Sequence, residues 1–252
     1  MKRLLVFAAM AAFSALSMVA CNDDRGYSTG NYTIAWGTVD TGNGDASVVI
    51  RRDNGALLHV VNSRVPADAY HAGQRVIVNY TILGSVGGAP AHYNVSINDL
   101  YQVLTKEPLL RSFIDQDQTV REDSIGNDPI GVTRAWFGDR FLNLRFDAKF
   151  GYRSQPHLLT LVQDDVLVPD DTIRLYLHHN ACDDQGNTLR SGYVSFEVAS
   201  LLPAGQTSAP VKLFWDGLDG TTHSDRGVFT YPAVESSSSP VYNPGVRASE
   251  IR

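Results

Sequence analysis

The chain has 252 residues, 43% of them hydrophobic, and its 27 acidic against 21 basic side chains give a formal net charge of -6. That balance argues against nucleic acid or an anionic membrane surface as a partner, since both are bound by concentrated positive charge. The length is generous for one small domain and comfortable for two, and beyond the N-terminus no apolar stretch is long enough to span a bilayer.

The first stretch sets the address. Lys2 and Arg3 precede an unbroken apolar run from Leu4 to Phe13, and small residues Ser14, Ala15, Ser17 and Ala20 lead to Cys21. This is signal-peptide grammar over residues 1–20. The ending "SMVAC" resembles a bacterial lipoprotein box, which implies lipidation of Cys21 as the new N-terminus. An uncleaved membrane helix and an ordinary secretory signal are the competing readings. Leu4 to Ala20 is short for a span, and an acidic rather than basic flank follows it. Several acyl chains on Cys21 would hold the protein to a membrane, where one chain alone is marginal. Loss of Lys2 and Arg3 with the leader takes the net charge from -6 to -8. The "NDD" after Cys21 resembles the export signal of surface lipoproteins in Bacteroides-like bacteria, and reads equally as a solvated spacer. The expected location is the cell envelope, lipid-anchored at the outer membrane, with surface exposure open.

Residues 21–31 form a polar spacer. They contain Gly26-Tyr27-Ser28-Thr29-Gly30, a formal match to a hydrolase nucleophile motif, but no strand precedes it and no helix follows, so the match is read as coincidence. Short strands then begin, with "YTIAWGTVDT", "SVVIRRD" and "ALLHVVN", the last two joined by a tight Asp53-Asn54-Gly55 hairpin. "PADAYHA" predicts a short helix. Gly73 to Leu83 alternates, with Val76, Val78, Tyr80 and Ile82 on one face. His92 to Leu104 alternates too, with a phase shift near Asp99 that predicts a bulge. Five strands with a helix between the third and fourth predict an OB-like five-stranded barrel over 32–106.

Residues 107–131 are charged and aperiodic and read as a joint. From 132 to 234 the pattern predicts seven strands, at 132–137, 141–147, 157–162, 172–179, 192–198, 211–216 and 227–231. That number with turn signals between points to an immunoglobulin-like β-sandwich without its disulfide. The fold class is therefore all-β. Residues 235–252 have almost no apolar periodicity and predict a disordered tail.

The stretches "GQRVIVNYTI", "NDLYQVLTK", "EDSIGNDPI", "WFGDRFLNLRF", "LHHNACDD" and "GYVSFEV", in this order, resemble the NigD-like family of lipoproteins from Bacteroides and its relatives. The resemblance runs from Cys21 to about Tyr231. It implies an N-terminal OB-like domain and a C-terminal all-β domain, and carries over no catalytic residue or ligand.

Candidate chemistry is sparse. His178, His179 and Cys182 are possible metal ligands, but adjacent histidines on a strand point to opposite faces and no supporting spacing accompanies them. With Cys21 lipidated, Cys182 has no intramolecular partner and is expected to be buried. Asp183 to Asn187 and Asp216 to Gly220 read as acidic turns rather than calcium loops. Arg51, Arg52, His59, Trp36, Tyr80 and Tyr93 lie on barrel strands and offer a weak case for a ligand-binding face. Asp123-Ser124-Ile125 and Asp171-Thr172-Ile173 resemble the O-glycosylation acceptor of Bacteroides-like bacteria. Ser124 is favoured, because Ile173 is a predicted core position. No catalytic set, metal site or cofactor site appears at informative spacing. The expectation is a non-enzymatic binder of a protein, peptide or glycan, with an accessory envelope subunit or an extracytoplasmic hydrolase as alternatives.

Overall fold

The computed structural model describes residues 32–41, 47–88, 90–151, 156–166, 170–232 and 251–252. Cys21, the leader, the spacer and its Ser28 motif lie outside them.

Strands β1 (Thr33–Thr41), β2 (Val48–Arg52), β3 (Leu57–Ser63), β4 (Arg75–Ser85) and β5 (His92–Gln102) close a barrel in the order β1-β2-β3-β5-β4. Only the β3–β5 pair is parallel; the other neighbours are antiparallel. The Asp53-Asn54-Gly55 turn joins β2 to β3 as predicted, with Gly55 at φ 83° and the Asn54 side chain accepting from the Ala56 N–H. The helix expected over "PADAYHA" is a single 3₁₀ turn, Ala67–Ala69. Val76, Val78 and Tyr80 are fully buried inside the barrel with Leu58, Val95 and Ile97. The bulge falls where the phase shifts: Asn79 pairs Asp99 and Tyr80 pairs Ile97, leaving Asn98 unpaired.

The barrel ends at Val103, earlier than the sequence pattern suggests. Strand β6 (Leu104–Lys106) pairs with one sheet of the second domain, and β7 (Leu109–Leu110) with the other. The joint is not aperiodic either, since it forms two short helices, α1 (Arg111–Asp115) and α2 (Gln118–Ile125). Their helical content escaped the sequence reading because few apolar positions carry them. Ile114 and Ile125 alone are buried, against Val162.

All seven predicted sandwich strands form: β8 (Gly131–Gly138), β9 (Phe141–Phe150), β10 (Leu158–Gln163), β11 (Ile173–Asn180), β12 (Thr188–Glu197), β13 (Ser208–Asp216) and β14 (Thr222–Thr230). One sheet runs β14-β13-β11-β10-β7 and the other β6-β12-β9-β8. In one respect the order departs from the immunoglobulin arrangement, because β11 and β13 are parallel neighbours. Between the sheets lie Leu144, Phe146, Leu161, Leu175, Phe196 and Phe229, all fully buried.

Of the expected disordered tail, residues 235–250 lie outside the described residues, while its last two residues are placed against the sandwich. Ile251 is buried in the sandwich core and bridges His157, and the Arg252 carbonyl accepts from the Leu159 N–H at 2.9 Å. One isoleucine carries no periodicity, so the pattern could not show it.

Candidate functional site

Three polar regions were candidates, and they differ in how completely their groups are paired.

The barrel residues do not converge on a face. Tyr80 is in the barrel core and Tyr93 packs against it, while His59 pairs with His92 at 3.2 Å. Trp36 is buried between the domains, edge-on to Trp136 and Tyr193. Arg51 reaches Asp139 across the interface at 3.8 Å, and Arg52 is half-buried. Beneath them lies Arg75, which sequence reasoning missed because it occupies one position in an apolar run. Its guanidinium is fully buried, grips the Asp53 carboxylate with both terminal nitrogens and donates to Asn143 Oδ1 at 3.1 Å. Ser195 donates to the same oxygen at 2.7 Å, and the Phe141 ring lies 4.7 Å from the guanidinium carbon. These contacts lock barrel to sandwich and leave that surface closed to ligand.

The histidine region is internally paired, and it adjoins an open depression of about 350 Å³ lined by Asp128, Lys149, His179 and Asp184. His178 and His179 do point to opposite sides of β11. His178 bonds the Gly126 carbonyl and Asn127, while His179 is 2% exposed. His179 Nδ1 faces the Pro129 carbonyl at 3.3 Å and its Nε2 meets His157 Nδ1 at 2.9 Å. His157 Nε2 continues to Asp184 at 3.3 Å, and Asp184 accepts from the Gly151 N–H at 2.7 Å. Burial, with charge on His157 as the second cause, pushes His179 down to about 4, so it is neutral at pH 7. Asp184 is held below the usual carboxylate range, chiefly by the Gly151 N–H. It is therefore a buried anchor rather than a solvated turn residue. Cys182 is only half-buried, a correction to the expected burial. It takes φ 52° at the strand end, and its Sγ lies 3.7 Å from the Asn180 carbonyl and 3.8 Å from Arg252. Among the described residues, no cluster of three or more ligating side chains is arranged to hold a metal.

Asp219 Oδ1 accepts from His223 at 2.9 Å and from Thr221, which lowers its pKa to about 2. Ser124 is exposed on α2, its hydroxyl donating to the Arg121 carbonyl, and Thr172 is half-buried.

The outward face of β11, β13 and β14 is different. Ile173, Leu175, Val211, Leu213 and Phe229 point into the core, so the alternate residues face out. Register then places Arg174 opposite Lys212, and Lys212 opposite Arg226. Three cations stand in direct cross-strand file, an arrangement that costs stability because like charges oppose each other. Alongside runs the file Tyr176, Phe214, Ser224. Tyr176 and Phe214 stack with centroids 4.7 Å apart at 10°, and the Lys212 ammonium sits 4.4 Å over Phe214. Arg174 has one partner, Asp170 at 3.3 Å. No ion pair to Lys212 or Arg226 occurs among the described residues. Arg174, Lys212, Arg226, Tyr176 and Phe214 line an open depression of about 360 Å³ together with Asp170, Thr172 and Pro210. No sequence motif could have found this file, since its members lie 38 and 14 residues apart and only the strand register unites them.

Comparison with known proteins agrees with the two-part architecture. Residues 36–103 match the NigD-like N-terminal OB domain and residues 112–226 the NigD-like C-terminal β-sandwich domain. A solved structure of a protein of unknown function from Bacteroides vulgatus is 29% identical, with a TM-score of 0.66 over 85% of this chain and 97% of that one. A putative toxin-related protein from Parabacteroides distasonis is 25% identical, with a TM-score of 0.66 over 80% and 95%. A NigD-like immunity protein from Bacteroides caccae shares the fold at 21% identity, with a TM-score of 0.56 over 79% and 93%. No curated protein matches. With both halves matched in order, this chain belongs to the NigD-like family.

Proposed function

We propose that this protein is a non-enzymatic binding module of the cell envelope, tethered by lipid on Cys21, whose sandwich takes a partner on the outward face of β11, β13 and β14. The observation that carries the reading is the file Arg174, Lys212, Arg226. It sets three like charges side by side in an accessible place, with no ion pair to Lys212 or Arg226 among the described residues, at a cost to folding that a ligand would offset. Lipidation rests on the sequence grammar around Cys21, and the outer-membrane location on the "NDD" that follows it. The names given to two relatives, an immunity protein and a toxin-related protein, suit a binding role at the envelope.

Chemical footprinting tests the face. Lys212 is compared with Lys149, which is exposed on the other sheet, in reactivity toward a small amine reagent on intact cells and in purified protein. Selective protection of Lys212 on cells is expected, and equal reactivity in both settings rules the face out. Fractionation tests the tether: Cys21→Ala should move the protein from membrane to soluble fractions.

A further inference from the structure

We infer that the free edge of β14 and the cationic file beside it form one docking site for an extended acidic segment of a partner protein, which adds a strand along β14 and sets a carboxylate against Arg226. The inference rests on the reading that this face binds a partner.

The backbone supplies half of the argument. β14 is nine residues long and terminates its sheet, and among the described residues β13 is its only strand neighbour. Its outer row of N–H and C=O groups is thus a template for one more strand. Residues Asp225 and Arg226 at its centre place opposite charges on its two faces, so the edge is selective rather than sticky.

The side chains supply the other half. The file Arg174, Lys212, Arg226 ends at the sheet edge, and among the described residues no strand follows β14 there. A carboxylate placed there would turn the last member of a like-charge file into half of an opposite-charge pair, and directly opposed pairs of that kind are stabilising. Neighbouring strands are about 4.8 Å apart, so Lys212 stands two spacings, about 9.6 Å, from that position. On the same face of β14, two residues on, Val228 is 65% exposed. The complementary strand therefore carries an apolar residue two positions from its acid.

The rings decide against a sugar. A pyranose needs an open aromatic face, but Tyr176 and Phe214 turn their faces on each other and Lys212 lies over Phe214. Tyr176 also packs against the cluster of Ile114, Ile125 and Val162. What the face leaves available is charge and strand edge. The protein's own negative charge gives no long-range help, so the attraction is local, acting within a Debye length of about 8 Å at physiological salt.

The test uses the full chain in detergent and a fluorescein-labelled decapeptide of alternating glutamate and valine, followed by fluorescence polarisation. Saturable binding is expected. It should weaken at least tenfold with Arg226→Glu, and equally when alternate amides of the peptide are N-methylated, which removes strand pairing but keeps every carboxylate. A lysine–valine peptide should bind Arg226→Glu better than it binds the native chain, which excludes misfolding as the cause of the loss. Undiminished binding by the N-methylated peptide, or indifference to Arg226→Glu, overturns the inference. So does preference for a sulfated oligosaccharide or for vesicles rich in anionic lipid. If the peptide fails while Lys212 remains protected on cells, the acidic strand is wrong and the binding face stands. If Lys212 is unprotected as well, the face itself falls.

Discussion

Arg75 and Arg226 both sit on strands, and they illustrate opposite uses of the same side chain. Arg75 is fully buried and held by Asp53, Asn143 and an aromatic ring, at the seam between barrel and sandwich. Arg226 is exposed, stands beside Lys212 and has no carboxylate partner among the described residues. A charge whose partners come from two domains is there to fix their relation, and removing one partner strands the other in a dry place. A charge set next to like charges at an open edge contributes nothing to the fold.

The comparison breaks most visibly at Asp53. Asp53→Ala leaves the Arg75 guanidinium buried without its carboxylate, and a loss of about 3–5 kcal/mol is expected in denaturant unfolding. Arg75 Nε and Asn143 Nδ2 already lack partners, so the network is not fully satisfied. Arg75→Met combined with Asp53→Leu should therefore cost much less than Asp53→Ala alone. Gly138 tests the same seam from the sandwich side. A Cβ there would lie 2.0 Å from Asp53 Oδ2, so Gly138→Ala must push the carboxylate away, with an expected cost of about 1–3 kcal/mol.

A second test sets the histidine cluster against the cationic file by pH. His179 falls from its ordinary 6.5 to about 4 in the folded protein, through burial and the neighbouring His157. A histidine with a depressed folded pKa binds fewer protons folded than unfolded, so stability is whole above pH 6.5 and is lost as pH falls toward 4. The loss approaches the order of 3 kcal/mol only as the pH falls to the folded value of about 4, where the folded state takes up the proton too. Asp184, also depressed, adds loss in the same direction as the pH falls below the ordinary carboxylate range. Thermal melting between pH 7 and 4 should fall steeply for the native chain and less steeply for His179→Gln. Arg226 makes no contact with this histidine cluster, so its variants should keep the native slope.

How much of this was legible in the sequence follows from the range of the interactions. Alternation reports local burial, so Val76, Val78 and Tyr80 and all seven sandwich strands could be read, as could the bulge beside Asp99. The His178 and His179 directions followed from the same period of two. Pairing between distant strands leaves no local mark. Arg75 lies among apolar residues and reads as an ordinary strand end, and its partners Asp53 and Asn143 are 22 and 68 residues away. His157 reaches His179 across the β10–β11 pair and had no motif to announce it. The parallel β11–β13 neighbours, which create the cationic file, also depend on chain topology rather than on any strand's own pattern. The lipidation signal at Cys21 and the acceptor-like Ser124 are the reverse case. They are legible only as short linear patterns, and the fold adds to them no more than the exposure of Ser124.

The smallest expected effect has the opposite sign from the rest, and it separates the two arginines most sharply. Arg226→Gln removes one of the two like-charge contacts in the file while leaving the Lys212 contact to Phe214 in place. A stabilising change of about 0.2–1 kcal/mol is therefore expected at low salt. Because the contact is exposed, added salt should screen it, so native chain and variant should converge as sodium chloride rises from 10 to 300 mM. Stabilisation that vanishes with salt would show that folding alone disfavours Arg226. A loss of stability on Arg226→Gln would instead place Arg226 with Arg75, among the residues that hold the molecule together, and the free charge on β14 would no longer argue for a partner.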